Sequence, residues 1–104
     1  MSEPYAFVLH ETGGPEVLKP ESIAIPAPGP RQVLIRNEAV GLNFIDTYHR
    51  SGLYPAPLPS GLGNEGAGVV DAVGEGVADL RVGSRVGYFT GPLGAYSTHR
   101  LVDA

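Results

Sequence analysis

The chain has 104 residues with 7 basic and 11 acidic side chains, a formal charge of −4, so its electrostatics give no reason to hold a phosphate backbone and nucleic acid is not an expected partner. Its 15 Gly and 10 Pro approach the level of a disordered chain, but 42% hydrophobic and 17% charged content supplies enough apolar surface for one small, turn-rich domain. Cysteine is absent, which removes disulfides, thiolate zinc sites and a Cys nucleophile, and no apolar window has the length of a signal peptide or a membrane span; a soluble cytoplasmic protein with no membrane partner is expected.

Residues 5–9 form a β-favouring run that stops at the turn signal Gly13-Gly14-Pro15. Short apolar pieces follow at Val17-Leu18 and over 23–25, the second closed by Pro26, Pro28, Gly29 and Pro30. Residues 32–39 alternate, with Val33, Ile35 and Asn37 on one face and Leu34, Arg36 and Glu38 on the other; Leu34 breaks the strict pattern. The best helix candidate is 43–51. Asn43 is placed to cap its first turn, Gly52 to supply a left-handed terminator, and Asp46 and Arg50 to pair one turn apart. Two turns are marginal alone, so tertiary packing must hold them.

Residues 53–63 contain Pro55, Pro57 and Pro59 and read as an extended surface loop. The run 65–73 is small and β-branched, and Gly66 and Gly68 inside it mark a bend or a close backbone approach. Turns are expected at 74–76, at Val82-Gly83 and at Gly91-Pro92, with strands over 86–89 and beginning over 95–99. Short strands broken by frequent turn signals give a mainly β fold, a small barrel or sandwich.

Gly61-Leu62-Gly63-Asn64-Glu65-Gly66 has the letters of the dinucleotide fingerprint. A proline-rich loop precedes it and a β run follows, so these glycines read as a barrel corner. His10, His49 and His99 lack metal-ligand spacing, and Ser51, Ser60 and Ser97 lie in no nucleophile elbow. The polar group Asn43, Asp46, Tyr48, Arg50 and Tyr54 has two readings. It is either an amide, a carboxylate and two phenols turned to one cleft, or an N-cap, a helix ion pair and two half-buried tyrosines. Spacing alone does not separate them.

Several segments, in order, resemble one known family: Gly13-Gly14-Pro15-Glu16-Val17-Leu18, Gly41-Leu42-Asn43-Phe44-Ile45-Asp46-Thr47-Tyr48 and Arg50-Ser51-Gly52-Leu53-Tyr54-Pro55. Leu58-Pro59-Ser60-Gly61-Leu62-Gly63, Glu65-Gly66-Ala67-Gly68-Val69-Val70, Val82-Gly83-Ser84-Arg85-Val86 and Gly91-Pro92-Leu93-Gly94-Ala95-Tyr96-Ser97 continue the match. The chain resembles the zeta-crystallin-type quinone oxidoreductases of the medium-chain dehydrogenase/reductase superfamily. The resemblance implies a GroES-like β-barrel catalytic domain with short helices, incomplete over 1–104. In full-length members a Rossmann domain carrying NADPH follows, and hydride passes to a quinone substrate. The zinc alcohol dehydrogenases of the superfamily have Cys where Asn43 stands and His where Asn64 stands. A carboxamide is a poor ligand for that metal, so no zinc is implied here.

By position, the resemblance implies that Asn43, Phe44, Ile45, Asp46, Thr47 and Tyr48 line the nicotinamide side of NADPH. Asn43 and Asp46 would hydrogen-bond around the ring and ribose, and Tyr48 and Tyr54 would flank the quinone pocket. Asn43, Tyr48 and Tyr54 are the catalytic candidates. A homodimer is implied for full-length members, and little or no activity for 104 residues that lack the cofactor-binding half. Two alternatives stand beside this reading: an enoyl or alkenal reductase of the same superfamily, and a non-catalytic GroES-like binding module that uses the cleft or an open strand edge.

Overall fold

A computed structural model describes residues 3–89 and 92–104. Strand β1 (Tyr5–Val8) pairs antiparallel with β2 (Lys19–Ser22), and a single 3₁₀ turn at Pro15–Val17 lies between them. Strand β2 is not the apolar run 23–25; it is the polar segment before it. Pro20 sits in this strand opposite Phe7, a position open to proline because a two-stranded ribbon has a free edge on each strand.

The second sheet has four antiparallel strands in the order β5 (Arg85–Phe89), β4 (Glu65–Val73), β3 (Gln32–Val40), β6 (His99–Asp103). Val33, Ile35 and Val70 are fully buried, and Val77, Leu80, Val86, Tyr88 and Val102 pack against them. Leu34 is buried as well, so this part of β3 is covered on both faces, which is why its alternation fails. A separate cluster, Leu9, Val17 and Leu62 with Leu18 and Tyr96, ties the β1–β2 ribbon to the loop before β4. At Gly68 the strands come so close that a Cβ would collide with the Arg36 carbonyl, and the β3–β4 register shifts beside this point, between Asn37 and Ala39.

Helix α1 (Phe44–Ser51) matches the expected span: Asn43 is the extended residue before it and Gly52 ends it at φ 90°. The last strand starts later than the sequence indicates, at His99. Residues 95–98 instead run beside β1, where the Phe7 and Thr98 amides donate to Tyr96 O and Tyr5 O. The Asn37 carboxamide holds them there, donating to the carbonyls of Ala95 (3.2 Å) and Ser97 (2.9 Å) and accepting from the Tyr88 hydroxyl (2.9 Å). Gly91 of the expected Gly91-Pro92 turn lies outside the described residues. No described helix is long and apolar enough to cross a membrane.

Candidate active site

The N-terminus of α1 is organised by Asp46. Its Oδ2 accepts from the Asn43 backbone N–H (3.1 Å) and from the Tyr96 hydroxyl (2.6 Å), and the side chain is only 3% exposed. Asn43 and Asp46 have the layout of a capping box, but only the Asp46 arm has good hydrogen-bond geometry. The Asn43 carboxamide instead donates its Nδ2 to Glu65 Oε2 (3.0 Å), at the start of β4. The expected Asp46–Arg50 pair is not made. Among the described residues Asp46 commits Oδ2 to Asn43 and Tyr96 and buries Oδ1 without a hydrogen-bond partner, while Arg50 Nε donates to the Gly13 carbonyl (3.2 Å), fastening α1 to the turn before the 3₁₀ segment. Burial, and the hydrogen bond to Asp46, push the Tyr96 phenol well above its ordinary value of 10.0.

Successive helix residues are about 100° apart, so Tyr48 lies on the side of α1 opposite Asp46, and Phe44 on nearly the same side as Tyr48. Exposure follows: Phe44 is 82%, Tyr48 37% and Asp46 3% exposed. The Tyr48 ring meets that of Tyr54 edge-on, with centroids 5.3 Å apart, and the Tyr54 amide donates to the Tyr48 carbonyl (3.1 Å). Ile45 is at the margin of exposure, and the Thr47 hydroxyl is occupied by the Phe44 carbonyl (2.6 Å). Of the six helix-start residues and Tyr54, Asn43 and Asp46 form an inward polar cap and Phe44, Tyr48 and Tyr54 an outward aromatic group.

Sequence reasoning did not single out Glu65 or Tyr96, which complete the cap. The signal available for Glu65 was a carboxylate inside an otherwise glycine-rich run; nothing local marked Tyr96. An open groove of about 450 Å³ adjoins the cap and is lined by Tyr5, Phe7, Leu18, Val40, Leu42 and Tyr96 among others; neither Tyr48 nor Tyr54 reaches it. It forms because β6 pairs with β3 only over Gln32–Arg36, leaving the far end of β3 without a neighbour on that side. The glycine-rich stretch 61–66 leads into β4, not a helix, so it cannot present a helix N-terminus to a pyrophosphate. Among the described residues no three His, Asp or Glu gather as a metal site would require.

This arrangement, two linked antiparallel sheets with one short capped helix at their end, defines the class as a GroES-like domain. The profile of the alcohol dehydrogenase GroES-like domain matches residues 29–104, and the chain belongs to that family. It is 67% identical over 86 residues to a quinone oxidoreductase of Pseudomonas aeruginosa, covering 82% of this chain and 26% of the relative. The crystal structure of Escherichia coli quinone oxidoreductase complexed with NADPH superposes with a TM-score of 0.92 at 47% identity, over 95% of this chain and 31% of that one. A 2-haloacrylate reductase of a Burkholderia species is 49% identical over 104 residues, 95% of this chain and 31% of the relative. The chain thus spans less than a third of the length of these relatives.

Proposed function

We propose that the chain is the N-terminal catalytic part of an NADPH-dependent quinone oxidoreductase that works without zinc. The observation that carries this reading is the exposed pair of Tyr48, on the helix that Asn43 caps, and Tyr54, just beyond its end, in a chain with such close quinone oxidoreductase relatives. The residues present suit one end of the cofactor. The half-buried Asn43 keeps a side-chain oxygen lone pair beyond its capping-box contact, and the apolar Leu42 and Phe44 side chains beside it are more than four-fifths exposed and free to lie against a flat ring. Bound NADPH supplies the hydride. The Tyr48 and Tyr54 phenols donate hydrogen bonds to the quinone oxygen as it gains negative charge, and their edge-on rings keep water from the acceptor. Asn43 and Asn64 offer neutral carboxamides where a zinc site needs thiolate or imidazole, which supports transfer without a Lewis acid. A cytoplasmic, homodimeric full-length enzyme belongs to this reading.

The test is a chimera in which residues 1–104 replace the matching N-terminal third of the E. coli quinone oxidoreductase. NADPH-dependent reduction of 1,4-benzoquinone is expected, with Tyr48→Phe and Tyr54→Phe each lowering kcat about tenfold or more. A folded chimera without activity would sink the reading. The match to a 2-haloacrylate reductase favours a second acceptor class, an electron-poor alkene, for which the same geometry delivers hydride to carbon. A higher kcat/KM on 2-chloroacrylate than on benzoquinone would select it.

A further inference from the structure

We propose that Glu65 is a positioning residue that assigns Asn43 to the cofactor and away from the quinone; this rests on the functional reading above. Glu65 is the first residue of β4, paired with Phe89, and its carbonyl accepts the Gly41 N–H (3.2 Å). Its carboxylate folds back over Gly41, where a Cβ would collide with it, and reaches Asn43 Nδ2 at 3.0 Å. A carboxylate accepts and never donates, so only the nitrogen end of the carboxamide can face it. The flipped amide would set two oxygens against each other. Chemistry as well as shape therefore fixes the orientation of Asn43.

The oxygen end faces the first turn of the helix in the capping box, but the Asp46 N–H there bonds to the Asn43 backbone carbonyl (3.0 Å), so Asn43 Oδ1 keeps a lone pair open to a ligand. Asn43 thus offers an acceptor lone pair beside its second amide N–H, and that acceptor selects a hydrogen-bond donor. A quinone has only carbonyl oxygens, which accept. A reduced nicotinamide dinucleotide carries hydroxyls and a primary amide, which donate. Glu65 gives Asn43 to the cofactor, and the donor phenols of Tyr48 and Tyr54 are left for the quinone.

Two experiments decide this. In the 104-residue chain, ¹⁵N NMR should show one Asn43 side-chain amide proton shifted downfield, and Glu65→Ala should abolish that shift while the backbone spectrum keeps its dispersion. In the chimera, Glu65→Gln lets the amide adopt either flip. It should weaken NADPH binding, read by cofactor fluorescence, about tenfold, and leave the KM for 1,4-benzoquinone nearly unchanged. Asn43→Asp alone sets two carboxylates together and should bind NADPH worse still. The Asn43→Asp/Glu65→Gln pair re-forms the bond with donor and acceptor exchanged and keeps an oxygen toward the cofactor, so NADPH affinity should recover. An unshifted amide proton, wild-type NADPH affinity in folded Glu65→Gln, or a folded double variant that stays impaired (the outcome if the second amide N–H is the working group) would overturn the proposal. So would an effect on the quinone KM instead. A chimera that binds NADPH but reduces no quinone would defeat the functional reading, while the NMR result still decides the Glu65 lock.

Discussion

The four-stranded sheet and the segment from the end of β3 through α1 use apolar residues in opposite ways. In the sheet, Val33, Ile35 and Val70 are sealed by side chains from four strands and the turn after β4. Between Val40 and Tyr54 the apolar side chains Leu42, Phe44 and Leu53 stand in solvent, and the one buried side chain is a carboxylate, Asp46. The sheet is held by burial of surface. The helix start is held by hydrogen bonds to Asp46, and its apolar groups are left over. Clustered exposed apolar groups beside a rigid polar anchor are what a binding surface requires.

The contrast breaks first in the sheet. Ile35→Ala should cost about 3 kcal/mol in urea unfolding, because Ile35 is wholly enclosed and a cavity would remain. Gly68→Ala should cost about 2 kcal/mol, since the added methyl meets the Arg36 backbone and must push β3 from β4; faster amide exchange along Asn37–Val40 would show it. Tyr96→Phe should cost about 1 kcal/mol and raise exchange in the first turn of α1 more than in the sheet. The same phenol sets a pH dependence. Folded Tyr96 keeps its proton where the unfolded chain loses it, so the contribution is complete below pH 10.0 and declines as pH rises above that; Tyr96→Phe should flatten this alkaline loss. The smallest effect is expected at Phe44→Ser, about 0.5 kcal/mol or less, because this ring is in solvent. A large loss there would show that the exposed group belongs to the fold after all.

The helix was legible in the sequence because its signals are local: Asn43 before it and Gly52 after it, about two and a half turns apart. Strand β2 was not, because its segment is polar and forms only by pairing with β1. Strand β6 was displaced because Asn37 takes the carbonyls of Ala95 and Ser97, contacts 58 and 60 residues distant that no window could register. The candidate site divides the same way. Asn43, Asp46 and Tyr48 were visible as residue types at a helix start, and Tyr54 just past its end. Their separation into an inward cap and an outward aromatic pair was not, since it depends on which side of α1 meets the barrel.

By itself the sequence determined the mainly β class, the helix with its caps, and the neutral carboxamides at Asn43 and Asn64 that bear on metal chemistry. These follow from side-chain chemistry and short-range geometry. Only the tertiary structure decided what each polar group is free to do. Glu65 reaches Asn43 across 22 positions and Tyr96 reaches Asp46 across 50, and those two bonds decide which atoms of the helix cap are already taken. Hydrogen-bonding capacity is finite, so a residue's function is what its distant neighbours leave unclaimed.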